Sequence, residues 1–345
     1  MWYIAATHST GVLILLRRLI FRRNSILLFR HVFCAANRAL SGLAAAFLCL
    51  FFFVNPLHAA PLAVTIVLSE NDGPYQEFSN KLRENLSAKN VAFVVIDNPH
   101  EPIPAAGLVI GVGMKAATAI AAGEASAVLN VLISKPGYDQ LLRDFPQRAH
   151  SKTFSAIFMD QPMERQVRLI EAVLPALPGK RRVGVMYDSF PPEELVQLRQ
   201  GITRHGLSLQ EQKIGPNLSL YAALQALLQD SEVLLALPDD SVYSGSTLRN
   251  ILLATYRSGV PLIGFSPGYV RAGALGAVFS TPAQIAAQAA LAVQQFGETR
   301  TLPATQYPQM FDVTTNEQVA RSLGLSIKSV EELHREIGAL TGDEP

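Results

Sequence analysis

The chain has 345 residues, of which 49% are hydrophobic and 17% charged, with 29 Lys and Arg against 28 Asp and Glu for a formal charge of +1. That length gives room for about two domains, and the composition excludes a disordered, collagen-like or disulfide-held chain. The near-zero balance carries no electrostatic footprint for nucleic acid.

The first 60 residues are chemically distinct from the rest. They hold six arginines (Arg17, Arg18, Arg22, Arg23, Arg30 and Arg38), no lysine and no acid, together with both cysteines, Cys34 and Cys49, and the only tryptophan, Trp2. Residues 61–345 therefore keep 23 basic and 28 acidic side chains, a formal charge of −5. Arg30 and Arg38 precede an uncharged apolar core over Gly42–Val54, and Pro56 leads to the small pair Ala59-Ala60. A basic flank, an apolar core and a small-residue exit make a secretory signal peptide, with the mature chain starting near Pro61. The −3 position is Leu57 or His58 instead of a small residue. An uncleaved anchor is the alternative, because about 20 apolar residues span a bilayer. The expected location is the periplasm, with the membrane touched only through this segment if it stays uncleaved.

Beyond it, short apolar runs alternate with amphipathic stretches. Strands are predicted over Ala63–Leu68, Val91–Ile96, Gly107–Gly111, Val128–Ile133 and Phe154–Met159. A second set covers Arg182–Tyr187, Leu207–Lys213, Val233–Leu237, Pro261–Phe265 and Leu275–Phe279. Runs such as Leu108-Val109-Ile110 are aliphatic throughout, which suits strands covered on both faces of a parallel sheet. Gln161–Leu174 places Met163, Val167, Ile170 and Leu174 on one helical stripe. Helices are also predicted over Glu193–Arg204, Leu220–Leu228, Val242–Arg257 and the uncharged Ala283–Phe296. Ten strands divide naturally into two five-stranded sheets, with the break at Asp160-Gln161-Pro162, and Pro303–Gln309 reads as an extended crossing segment. The fold class is α/β, with two doubly wound parallel-sheet lobes joined by a hinge.

No catalytic motif is present. A Gly-x-Ser-x-Gly elbow, a His-Glu-x-x-His pair and a Walker loop are all missing. His100, His150, His205 and His334 are scattered without metal-ligand spacing, and residues 61–345 contain no cysteine for thiol chemistry or metal ligation. Gly111-Val112-Gly113-Met114-Lys115-Ala116 matches Gly-x-Gly-x-x-Ala, but it follows a third strand and the next strand ends in Ser134-Lys135 without a ribose-binding acid. Two readings stay open there: an anion-accepting helix start, or a plain tight turn. Leu237-Pro238-Asp239-Asp240-Ser241 likewise allows two readings. One acid or Ser241 caps the following helix, or one carboxylate is free in a cleft for a ligand ammonium or hydroxyl. Phe265-Ser266-Pro267-Gly268-Tyr269, Glu70-Asn71-Asp72-Gly73 and Tyr187-Asp188-Ser189 occupy comparable strand ends. Each alone reads first as turn chemistry, and together they lie where open parallel sheets bind ligands.

Three segments carry a family resemblance. They are Ala236-Leu237-Pro238-Asp239-Asp240-Ser241, then Ser258-Gly259-Val260-Pro261-Leu262-Ile263-Gly264-Phe265-Ser266, then Tyr269-Val270-Arg271-Ala272-Gly273-Ala274-Leu275. With Phe158–Pro162 and the end Asn316 to Gly324, they resemble substrate-binding proteins of ABC transporters with a type I periplasmic-binding fold, in the branch that includes tryptophan-binding members. The resemblance covers residues 62–328. It implies binding without catalysis, no cofactor and no metal, a small-molecule ligand such as an amino acid, a transporter permease as partner, and a monomer. By position it implies a ligand shell of Ser69, Glu70, Gly113, Ser134, Tyr187, Asp239, Asp240, Phe265 and Ser266, and a hinge at Asp160, Gln161 and Thr281. The expected organisation is residues 1–60 as export segment, 61–160 plus 282–308 as the first lobe, 161–281 plus 309–328 as the second, and 329–345 as a C-terminal helix and tail. The same clamp also fits a sensing or accessory protein of a receptor or outer-membrane uptake system.

Overall fold

A computed structural model describes residues 60–104, 107–174, 181–215 and 218–338. The expected signal peptide or anchor lies outside these residues. No helix among the described residues is long and apolar enough to cross a membrane.

The first sheet contains β1 (Leu62–Leu68), β2 (Val91–Ile96), β3 (Leu108–Val112), β4 (Ala127–Ile133) and β5 (Phe154–Phe158), all parallel, in the order β2-β1-β3-β4-β5. The central strand β3 is buried along its whole length, as its unbroken aliphatic run requires. β5 is buried too although it is an edge strand, because residues 303–308 run beside it, whereas the other edge strand, β2, alternates. The connecting helices are α1 (Gly73–Asn85), α2 (Met114–Ala122), α3 (Lys135–Asp144) and the short α4 (Pro146–Ala149).

The second sheet contains β6 (Arg182–Tyr187), β7 (Ser208–Lys213), β8 (Val233–Leu235), β9 (Leu262–Gly264), β10 (Gly276–Phe279) and β11 (Asp312–Thr315). Its order is β11-β10-β9-β8-β6-β7. The run β7-β6-β8-β9-β10 repeats the topology of the first sheet. Its helices are α5 (Met163–Val173), α6 (Pro192–Arg204), α7 (Leu220–Asp230), α8 (Leu248–Arg257) and α9 (Pro267–Ala272). β11 pairs antiparallel with β10, so this sheet has six strands where five are predicted. Asp-Val-Thr-Thr carries one apolar side chain, too little alternation to read as a strand, and its pairing is supplied by the open edge of β10.

The chain passes between the lobes three times, after β5, after β10 and through residues 303–311. After β10, α10 (Pro282–Thr299) returns to the first lobe. Ile285, Ala289, Val293 and Phe296 enter the same core as Val64, Ile66, Phe78 and Leu82. Alanines on this helix let it approach α1 closely. The segment then runs beside β5, where the Phe158 amide donates to the Gln306 carbonyl at 3.0 Å and Gln306 donates to Ala156 at 3.0 Å. It ends in β11, α11 (Glu317–Ser322) and α12 (Val330–Gly338). Leu333 and Ile337 of α12 enter the second lobe's core with Val167, Ile170 and Val185.

One predicted helix is corrected. Val242–Arg257 is not a single helix: residues 240–247 form turns, and α8 starts at Leu248 with Thr247 as its cap. Ser244-Gly245-Ser246-Thr247 is the reason. The Thr247 hydroxyl donates to the Val242 carbonyl at 2.6 Å and accepts from the Ser244 amide at 3.0 Å, a local pattern that competes with helix.

Candidate functional site

A cavity of about 480 Å³ opens between the lobes, at the C-terminal ends of strands from both sheets. The first lobe contributes Tyr75, Met114, Leu132, Ile133, Ser134, Gly137, Gln140 and Met159 to its wall. The second contributes Met163, Gln166, Glu194, Leu235, Ala236, Leu237, Pro238, Asp240 and Phe265. Asp160 and Gln161, on the first crossing, form its floor. This is the position where doubly wound sheets take ligands.

Of the residues anticipated from sequence, Ser134, Asp160, Gln161, Asp240 and Phe265 line the cavity. Ser69, Glu70, Gly113, Tyr187, Asp239, Ser266 and Thr281 do not, and most have other work. The Ser69 hydroxyl accepts from the Ala116 amide at 3.0 Å, anchoring the start of α2 against β1. Glu70 pairs with Lys115 at 2.6 Å on the surface. Gly113 has a φ of +86°, and a Cβ there would stand 2.6 Å from both the Ser69 hydroxyl and the Tyr75 ring. The Tyr187 hydroxyl donates to Glu211 at 3.3 Å, on the side of β7. Ser266 caps α9 by backbone position only, and Thr281 forms a capping box with Gln284.

The acid pair separates into two roles. Asp239 is buried, and its carboxylate accepts from the amides of Asp188 at 2.8 Å, Ser189 at 2.9 Å and Ser241 at 3.0 Å. It fastens the β6 and β8 turns together and is not part of the cavity lining. Asp240 is exposed to the cavity and accepts no hydrogen bond from another described residue. Neither acid caps a helix, because α8 begins later.

The α3 start is occupied from within. Its first amide, on Lys135, donates to the Asp160 carboxylate, and the Gly137 amide donates to the Ser134 hydroxyl at 3.1 Å. Burial pushes the Asp160 carboxyl up to about 6, with the Lys135 amide working in the opposite direction. The Lys135 ammonium reaches Asp139 at 2.8 Å and, across the cleft, Glu194 at 3.1 Å. Burial disfavours its charge, but these two carboxylates together raise its pKa. Burial beside Glu194 likewise raises the Tyr307 hydroxyl.

Two wall residues had no sequence signal. Glu194 reads as an ordinary acid in the first turn of α6. Gln166 sits on the otherwise buried face of α5, only 6% exposed, and its side-chain carbonyl accepts no hydrogen bond. Leu132 reaches the wall because β4 bulges there, with φ at +51°.

Residues 107–332 match the family described as ABC transporter substrate binding protein. No curated protein matches the chain. Among solved structures, a ligand-free, open substrate-binding protein with adhesive properties from Clostridium difficile aligns at a TM-score of 0.61 and 15% identity, covering 78% of this chain and 97% of that one. An ABC domain in complex with L-Trp from Streptococcus pneumonia aligns at a TM-score of 0.55 and 15% identity, covering 79% and 98%. A conserved domain protein from Vibrio cholerae aligns at 0.54 and 20% identity, covering 79% and 97%. At these identities the structural likeness speaks for the fold, and the family match speaks for membership. This two-lobed chain belongs to the ABC transporter substrate-binding protein family.

Proposed function

We propose that the protein is exported to the periplasm, closes on one small organic molecule, an amino acid or a related compound, and presents it as a monomer to the permease of an ABC transporter. The observation that carries this reading is the cavity walled by both lobes at their strand ends. A ligand there touches both walls only when the lobes are together, so binding favours the closed form and occupancy becomes shape. The ligand shell is assigned to Ser134, Gln166, Asp240 and Phe265. The remaining anticipated residues shape the turns behind the wall. Asp160, Gln161 and Thr281 lie at the crossings and are assigned to the hinge.

The test is a thermal-shift screen of amino acids, amines, sugars and organic acids, followed by small-angle scattering with each hit. The expected result is a stabilising ligand that also lowers the radius of gyration. An intact protein stabilised by nothing in the panel contradicts the reading.

A further inference from the structure

The polar character of the cavity wall is one-sided. Its lining contains three carboxylates, on Asp160, Glu194 and Asp240, and no Lys, Arg or His. The nearby cations are already engaged: Lys135 with Asp139 and Glu194, Lys115 with Glu70, and the buried Arg165 with Gln161 and the Pro308 and Gln309 carbonyls behind the wall. The α3 start, the place where a ligand carboxylate is most readily held by backbone amides, carries the protein's own Asp160 carboxylate instead. Pro136 has no amide hydrogen there, and the Gly137 amide is taken by Ser134.

Two acceptors of the lining have no donor. Asp240 is open to the cavity, and the buried Gln166 carbonyl has no donor. A buried acceptor left without a donor is unfavourable, so a matching ligand brings N–H groups. The rest of the wall is apolar and polarisable. Phe265 and Tyr75 bring aromatic rings to it, groups that attract cations, and Met114, Met159 and Met163 bring adaptable thioether chains.

We propose that the cleft takes a small organic amine that lacks a carboxylate, with its ammonium held by the open acceptors and its apolar body against the aromatic and methionine side chains. This rests on the clamp reading above and narrows its ligand class. A ligand carboxylate finds no cation in the lining, and it stands in repulsion with the open carboxylate of Asp240 and, at neutral pH, with Asp160.

The test is calorimetric titration of the full chain with matched pairs that differ only in the carboxylate: tryptamine and L-tryptophan, phenethylamine and L-phenylalanine, agmatine and L-arginine, with D-ribose as a neutral probe. The expected result is that at least one amine binds and its amino acid binds at least tenfold more weakly. Asp240→Asn is expected to weaken the amine about tenfold or more while the protein stays folded by circular dichroism. Asp160→Asn is expected to narrow the gap between amine and amino acid. An amino acid that binds as tightly as its amine overturns the inference and leaves the clamp reading standing. So does ribose binding with no amine binding. Amine binding unaffected by Asp240→Asn overturns it by placing the amine elsewhere. No binding by any probe to the folded chain overturns the inference, while the broader screen and its scattering readout decide the clamp reading separately.

Discussion

The Arg165 guanidinium donates to the Pro308 carbonyl at 2.7 Å, so a helix of the second lobe grips the third crossing directly. The same group donates to Gln161 Oε1 at 2.9 Å and to the Gln309 carbonyl at 3.2 Å, and lies 4.5 Å above the Phe311 ring. Gln161 then donates to the Ser280 hydroxyl at 2.8 Å, and that hydroxyl donates to the Met310 carbonyl at 2.6 Å. One buried cation thereby joins all three crossings. Arg165→Leu removes the donor of two buried acceptors, the Pro308 carbonyl and Gln161 Oε1, and we expect a loss of about 2–4 kcal/mol, since each orphaned buried acceptor costs about 1–3 kcal/mol. Urea unfolding measures it; an unchanged midpoint contradicts the role of this residue.

Asp239 and Asp240 are expected to answer oppositely to mutation. Asp239→Ala removes the acceptor of three backbone amides, so stability is expected to fall by about 2–3 kcal/mol. Asp240→Asn touches no internal bond, and its stability is expected to stay within about 0.5 kcal/mol of wild type. Its effect appears instead in ligand affinity. Thermal melts and titrations of the two variants side by side make the comparison, and equal destabilisation contradicts the division.

Asp160 gives the cleft a pH response. Its carboxyl is raised to about 6 by burial, so the folded chain holds this proton more tightly than the unfolded one. The resulting contribution to stability is complete below about 4, the range of an ordinary aspartate, and is lost as pH rises through about 6. Asp160→Asn keeps an oxygen for the Lys135 amide without the titration. The melting temperature of the variant relative to wild type is therefore expected to rise between pH 4 and pH 7, by about 2–4 °C per kcal/mol for a domain of this size. A constant difference across that range contradicts this assignment.

Gly113 is fixed by space and by backbone. At φ +86°, with Ser69 and Tyr75 in the path of any Cβ, Gly113→Ala is expected to cost more than about 1 kcal/mol. It also displaces Tyr75 from the cavity wall. Chemical denaturation and ligand titration of this variant are expected to worsen together, and a variant as stable as wild type contradicts the packing account.

Much of the architecture was legible because buried parallel strands leave continuous aliphatic runs. Gly107–Gly111 and Val128–Ile133 overlap the buried β3 and β4, and the apolar Val91–Ile96 coincides with β2 even at the half-exposed edge. The strand predicted through Leu237 ends at Leu235, although the Ala236 amide still donates to the Ile263 carbonyl of β9 at 2.9 Å; beyond it the chain turns at Pro238. β11 escaped because its pairing is decided by a distant edge. Part of the site was legible for a different reason: strand ends in such sheets converge, which brought Ser134, Asp240 and Phe265 to the cavity. Glu194 and Gln166 come from helix flanks. There an acid or an amide has the same local sequence whether it faces water or the opposite lobe.

The return of the chain has a consequence for how the protein is made. The first lobe's core waits for α10, and the second lobe's core waits for β11 and α12, all of them beyond Thr281. As the polypeptide emerges from the ribosome, neither hydrophobic interior can be sealed until the final segment has been synthesised, since these contacts are distant in sequence. The topology itself delays folding: both interiors stay open until the residues beyond Thr281 are available to close them.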